Sequence, residues 1–171
     1  SIVHSIDSET PVMGVNSHPR EISSDGSYGF YMGSEPKFFA DDILKAIEGK
    51  GIINSLPRLQ AKIETPSGKI LVSDPALNDL LVANTHQYQP SKNRIERFAD
   101  ATNDSIDTVQ RSSGCLFSTF LGQGAWFRHV ANIEGARFPI DEVGERYLFV
   151  SRDLPRSERL EDGSYWSWTD K

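Results

Sequence analysis

The sequence predicts an α+β fold with a mainly antiparallel β portion. Three observations carry this: a single clear amphipathic stretch of helical period, a longer region where apolar residues recur at every second position, and turn signals that join such segments into hairpins. No internal repeat and no low-complexity tract interrupts the pattern.

Residues 11–16, PVMGVN, form a short apolar run ending in Asn and followed by a Ser-, Gly- and Pro-rich stretch, which predicts a buried strand entering a loop. Ser34, Glu35 and Pro36 then supply a cap and a first-turn proline. Phe39, Ile43, Leu44 and Ile47 share one face behind them, and Gly49 ends the pattern, so a helix is expected over about 35 to 48. From there the period becomes two. Leu59, Ala61 and Ile63 alternate with polar residues, a Pro-Ser-Gly turn follows, and Ile70 and Val72 resume the alternation, which describes a hairpin. PALNDLLVAN reads as a further strand, although its Leu spacing also suits a helix. A strand is expected around Ile95 to Ala99 and a turn at Asn103 to Ser105. Cys115 to Thr119 reads as a strand, Gly122 to Gly124 as a glycine turn, and the residues after it as the start of a short helix. Arg146 to Val150 is a strand, and RLEDGSYWSW offers a hairpin with Asp162-Gly163 at its turn.

With 171 residues, 37% of them hydrophobic and including three Trp, nine Phe and five Tyr, the chain can fill one core of ordinary size. Its formal charge of −6, from 18 basic and 24 acidic residues, is spread without any like-charge tract, so neither nucleic acid nor an anionic membrane is expected as a partner. The lone cysteine, Cys115, excludes an intramolecular disulfide framework and a multi-cysteine metal site, and points to a reducing compartment, the cytoplasm. No apolar run reaches the roughly 18 residues of a spanning helix, and the opening SIVHSIDSET lacks the basic and apolar regions of a signal peptide. Opening on Ser in an already periodic segment, the chain is expected to be a piece of a longer one.

Chemistry concentrates in two places. A strand that turns on glycines into a helix presents unpaired backbone N–H groups and the positive helix end, a seat for a phosphate or another anion, with Ser118 and Thr119 as nearby hydroxyl donors. The alternative is that Gly122 and Gly124 only relieve a tight turn. In PALNDLL, Asn78 and Asp79 interrupt an apolar run. They need partners if buried, and a ribose is one such partner; a surface Asn-Asp turn is the other reading. The histidines His4, His18, His86 and His129 have no pairwise spacing that suits a metal, and none is expected. Cys115 in an apolar strand reads as an inert core thiol, and Trp126, Phe127, Trp166 and Trp168 as packing residues.

Three segments in this order resemble the NAD kinase family: PVMGVN at 11–16 is similar to its P-V-x-G-V-N strand, ALND at 76–79 to its A-L-N-E motif, and SSGCLFSTFLGQGAW at 112–126 to its G-x-x-x-S-T-x-x-G-S-T-A-[YW] motif. Their separations match as well. That family joins an N-terminal α/β domain bearing G-G-D-G-T to a C-terminal β-sandwich, and binds NAD between domains and subunits. The resemblance implies that residues 1–35 are the tail of the α/β domain and that 36–171 form a sandwich-like, β-rich NAD-binding domain. It implies that Asn78 and Asp79 bind the ribose region of NAD. Gly122, Ala125 and Trp126 would line the dinucleotide site beside Thr119, and His129 would occupy a neighbouring contact position. Ser113 stands where many members have aspartate and others, the mitochondrial type among them, have serine.

The resemblance further implies transfer of a phosphoryl group from ATP or polyphosphate, with Mg2+, to the 2′-hydroxyl of the NAD adenosine ribose, in a homodimer or homotetramer. The departures are specific. Gly122-Gln123-Gly124 replaces G-S-T and removes two hydroxyls, Asp79 replaces Glu, and V-R-E-P survives only faintly at Val150 to Pro155. No G-G-D-G-T occurs, so no catalytic residue is assigned. Two other readings stay open: a catalytically silent dinucleotide binder, favoured by Gln123-Gly124, and a lipid or sugar kinase of the same superfamily, against which the Asn78-Asp79 pair argues.

Overall fold

The structure, a computed structural model, describes residues 2–20, 25–27, 31–86, 88–97, 106–119, 122, 124–131, 146–153 and 166–169. The described residues are mostly strands in several sheets, largely antiparallel, with few helices, as in an α+β or mainly β fold. The chain divides into two compact units, one of Ile6–Ser55 and one of Ser1–Ser5 with Leu56–Lys171.

In the smaller unit, β1 (Gly14–Val15) pairs in parallel with β2 (Met32–Ser34). The expected strand is therefore present but short, and half-buried rather than buried; only Asn16 just beyond it is buried. Its backbone N–H donates to the Ser34 carbonyl at 2.9 Å and its side-chain amide to the Ser27 carbonyl at 3.0 Å. Helix α1 runs Phe39–Ile47, not from 35. The reason is local: the Glu35 carbonyl accepts the Phe38 N–H in a turn, which spends Pro36 ahead of the helix, and the N-cap is Phe38, with no side-chain cap. Ser34 does not cap but reaches one helical turn in, donating to Asp42 Oδ2 at 2.8 Å. That bond ties α1 to the parallel pair within this unit. The apolar stripe of Phe39, Leu44 and Ile47 is exposed, Ile47 by 77%.

In the larger unit the hairpin is found where the alternation placed it: β3 (Lys62–Glu64) pairs antiparallel with β4 (Ile70–Val72). The segment of ambiguous period is a strand, β5 (Asp79–Val82). A second hairpin joins β6 (Ser91–Arg97) and β7 (Ile106–Ser112), longer than the strand expected at 95–99; the turn expected at 103–105 lies outside the described residues. β8 (Cys115–Thr119) and β9 (Arg146–Ser151) match their predicted strands, and the short helix is α2 (Ala125–Val130). The last strand, β10 (Trp166–Thr169), pairs with β9; Asp162 and Gly163 lie outside the described residues, as do the side chains of Trp166 and Trp168.

The main sheet has the order β10-β9-β8-β5, all antiparallel. Alternation splits its residues between two faces. Leu116, Leu148 and Val150 meet Phe127, Val130 and Ala131 of α2 and the residue after it. Cys115, Phe117, Phe149 and Tyr147 meet Ile95 of the β6–β7 hairpin, with Phe117 and Phe149 ring centroids 5.0 Å apart in tilted contact. Both faces are thus covered, which explains why β8 is buried along its whole length except at Phe117. Cys115 is a core thiol as expected: burial raises its pKa, and its sulfur lies 3.3 Å from the Asn93 amide nitrogen that donates to it. Among the described residues, no helix is long and apolar enough to cross a membrane.

Because Phe127 is fully buried between α2 and the sheet, Phe127→Ala should lower the unfolding free energy by about 3–5 kcal/mol. Val109→Ala, at an exposed position, should change it by less than about 0.5 kcal/mol. Urea unfolding of the two variants checks the contrast.

Candidate functional site

Two of the motifs meet at the junction of β5 and β8. Register pairs Asp79 with Ser118, and Ser118 in turn with Leu148, so these three form one cross-strand row on the face that carries α2. Just before the row, the backbone of Asn78 is fastened to β8. Its carbonyl accepts the Thr119 N–H at 2.9 Å, and the Ser118 hydroxyl lies 3.2 Å from it and 3.1 Å from the Thr119 carbonyl.

Thr119 is the clamp. Its hydroxyl donates to the Leu77 carbonyl at 2.7 Å and accepts the Gly122 N–H at 2.8 Å, tying the ALND segment to the glycine turn through one oxygen. Thr119 is buried and its hydroxyl proton serves the scaffold, whereas the buried Ser118 hydroxyl lies among the Asn78 and Thr119 carbonyls and the Asp79 carboxyl. Gly122 is required by proximity: a Cβ there would stand 2.5 Å from Asn78 Cα and 2.8 Å from its carbonyl oxygen, and would also strike Thr119 Oγ1. Backbone cannot yield as a flexible side chain can. Gly124, whose N–H donates to the Gly122 carbonyl, is the N-cap of α2 and gives it no side-chain bond. Gln123 lies outside the described residues.

Beside this clamp, Asn78 is exposed and Asp79 half-buried. Asp79 Oδ1 is buried and has no hydrogen-bond partner among the described residues. Burial pushes the Asp79 carboxyl above its ordinary value, with the Ser118 hydroxyl acting in the opposite direction. An acceptor left in this condition is costly, by about 1–3 kcal/mol, and it is suited to a hydroxyl donor brought in from outside.

Two of the remaining expected residues, Ser113 and Trp126, are linked through Arg152 at the other end of β8. Ser113 is exposed, donates its backbone N–H to the Arg152 carbonyl at 2.9 Å, and precedes Gly114, which accepts the Arg152 N–H at 2.9 Å. Gly114 is held at φ +114° with no room for a side chain: a Cβ would come within 2.7 Å of Ala83 Cβ and 2.9 Å of the Val82 carbonyl oxygen. Trp126, 45% exposed on α2, lies under the Arg152 guanidinium, 5.6 Å from the ring centroid, a cation–π distance. His129 is exposed on α2, and Ala125 opens that helix, its side chain outside the described residues. At about 3.3 Å per strand residue, the Ser113 end and the Asp79 row are roughly 16 Å apart. The structure thus unites Asn78, Asp79, Thr119 and Gly122, and separately Ser113 and Trp126. Arg152, which joins the second group, was passed over in the sequence; its signal was the V-R-E-P-like stretch at 150–155, of which Val150 to Asp153 are described.

Among the described residues, no three His, Cys, Asp or Glu side chains come together to hold a metal ion. No protein-family model matches the chain, and no curated protein matches it.

The raised pKa of Asp79 has a signed consequence. The folded chain keeps this proton at pH values where the unfolded chain has released it. The stabilising contribution is therefore fully present below the ordinary Asp value of about 3.9 and is lost as pH rises through the higher folded value. Asp79→Asn should remove this dependence: the variant is expected to be more stable than the native chain at neutral pH and to converge with it at about pH 3, in urea unfolding followed across a pH series. A second expectation follows from the close approach at the turn. Gly122→Ala should destabilise the chain by about 1–3 kcal/mol, measured the same way.

Proposed function

We propose that this chain is the NAD-binding part of an NAD kinase-like protein. The observation that carries the reading is the buried Asp79 Oδ1, which has no hydrogen-bond partner among the described residues, next to exposed Asn78, in the segment that resembles the family's ribose-binding motif. A ribose offers adjacent hydroxyls. One donates to Asp79, which compensates its desolvation, while the Asn78 amide both donates and accepts. The motif next to it in space, across the Thr119 clamp, is the glycine turn that the family uses for the same ligand.

At the other end of β8, Trp126 and Arg152 supply an aromatic face and a cation, which suit the planar rings and phosphates of a dinucleotide. A ligand with recognition features at both ends fits two groups set apart along one strand. His129 and Ala125 belong to the same helix as Trp126, and Ser113 is joined to Arg152 by the backbone.

The reaction proposed for an NAD kinase-like protein that includes this chain is transfer of the terminal phosphoryl of ATP, or of polyphosphate, with Mg2+, to the 2′-hydroxyl of the NAD adenosine ribose. The described residues offer no carboxylate cluster for Mg2+, and Asp79 is the lone carboxylate among the proposed site residues. We therefore derive no phosphoryl-transfer step and assign this chain the positioning of the acceptor. Two features support the architecture that goes with this reading. The parallel pair β1–β2 with the bare apolar stripe of α1 suits the tail of an α/β domain, since parallel strands occur in sheets covered on both faces. The β6–β7 hairpin packed on the main sheet suits a sandwich-like second domain. The assembly expected with it is a homodimer or homotetramer.

Calorimetric titration of NAD into the native chain should give saturable binding. The Asn78→Ala, Asp79→Ala double variant, folded by circular dichroism, should bind at least about tenfold more weakly, the loss of one charge-assisted hydrogen bond or more. No binding by the native chain, or equal binding by the variant, would sink the proposal.

A further inference from the structure

The β3–β4 hairpin is anomalous. All six of its strand residues are exposed, four of them large and apolar: Ile63, Ile70, Leu71 and Val72. A two-stranded ribbon with no covered face is marginal in water, and an unpaired edge beside exposed aliphatic residues is a site for another strand. Register pairs Ile63 with Leu71 on one face, and Lys62 with Val72 and Glu64 with Ile70 on the other.

The ladder fixes which edge groups are available. The Ser73 N–H donates to the Ala61 carbonyl and the Thr65 N–H to the Lys69 carbonyl, both at 2.9 Å, so the hydrogen-bonded pairs fall at odd-numbered residues of β3. Alternation then turns the N–H and C=O groups of Lys62 and Glu64 away from β4. Those two side chains have opposite charges, sit on either side of Ile63, and have no ion-pair partner among the described residues.

We propose that β3 pairs antiparallel with β3 of a second copy of this chain, about a two-fold axis at Ile63. The occupant follows from charge. In that register Lys62 of each copy stands opposite Glu64 of the other, directly across the strand pair, and their outward backbone groups are those that exchange hydrogen bonds. On the opposite face the same operation sets Leu71, Ile63, Ile63 and Leu71 in one row, so a single two-fold arrangement satisfies apolar and charged residues together. Pro66, which has no N–H, ends the ladder beyond Glu64 on either side. The contact is therefore short, and the dimer is dissociable and concentration-dependent. The alternative edge, β4, would set Ile70 against Val72 and leaves Lys62 and Glu64 unmatched.

The proposal names an interface for the assembly expected above but does not rest on the ligand; NAD titration of the same samples reports on the ligand alone. The test is sedimentation velocity of the native chain across a concentration series, beside Lys62→Glu, Glu64→Lys and the double exchange Lys62→Glu, Glu64→Lys. The native chain and the double exchange should approach twice the chain mass as concentration rises. Each single reversal puts like charges opposite one another and should stay at the monomer mass, with unchanged circular dichroism. A native chain that is monomeric throughout, or single reversals that dimerise as the native chain does, would overturn it.

Discussion

The group of Asn78, Asp79 and Gly122 at the candidate site depends on one hydroxyl. Thr119 Oγ1 holds the Leu77 carbonyl on one side and the Gly122 N–H on the other. Segments more than forty residues apart in sequence are thereby brought to a single point. The groups it joins are backbone, with no freedom to be satisfied elsewhere once buried. Ser118 adds its hydroxyl to the same seam, and Gly122 closes it by having no side chain. With the seam fixed, Asp79 is left in a position where its Oδ1 is out of water and without a hydrogen-bond partner among the described residues. The orphaned acceptor is a consequence of the scaffold, and the proposed function uses it.

The seam in turn rests on the packing of β8. Its alternate residues are claimed by two different partners, α2 on one face and the β6–β7 hairpin on the other, so a slip of one residue would exchange Leu116 and Cys115 between unlike surroundings. The register that sets Asp79 opposite Ser118 is therefore specified by core residues several positions away. A buried, two-faced central strand is a rigid place from which to hold a ligand.

Much of this was legible in the chain, and for identifiable reasons. Alternation at Leu59, Ala61 and Ile63 with a Pro-Ser-Gly turn gave a hairpin because a two-residue period and a turn signal are local properties. Cys115 to Thr119 was readable as a strand because its β-forming run is bounded by glycine on one side and leads to a glycine turn on the other. The start of α1 was misplaced because Ser34 has two possible roles, and the structure commits its hydroxyl to Asp42 rather than to a cap. The grouping of site residues was beyond a linear reading. Ser113 and Thr119 lie on one motif, yet an extended strand separates them, and Ser113 instead meets Arg152 through pairing with β9. Nothing local in the chain announces that Arg152 covers Trp126.

The most direct test of the seam is a change that removes its oxygen and little else. Thr119→Val keeps shape and leaves the Leu77 carbonyl and Gly122 N–H without their partner. NAD should be titrated by calorimetry into the native and variant chains, after circular dichroism shows both folded. The account predicts saturable binding by the native chain and a loss of about tenfold or more in the folded variant, the size expected when one or two buried polar groups lose their partner. Equal affinities would contradict it, since the junction of the two motifs would then have no part in holding the ligand.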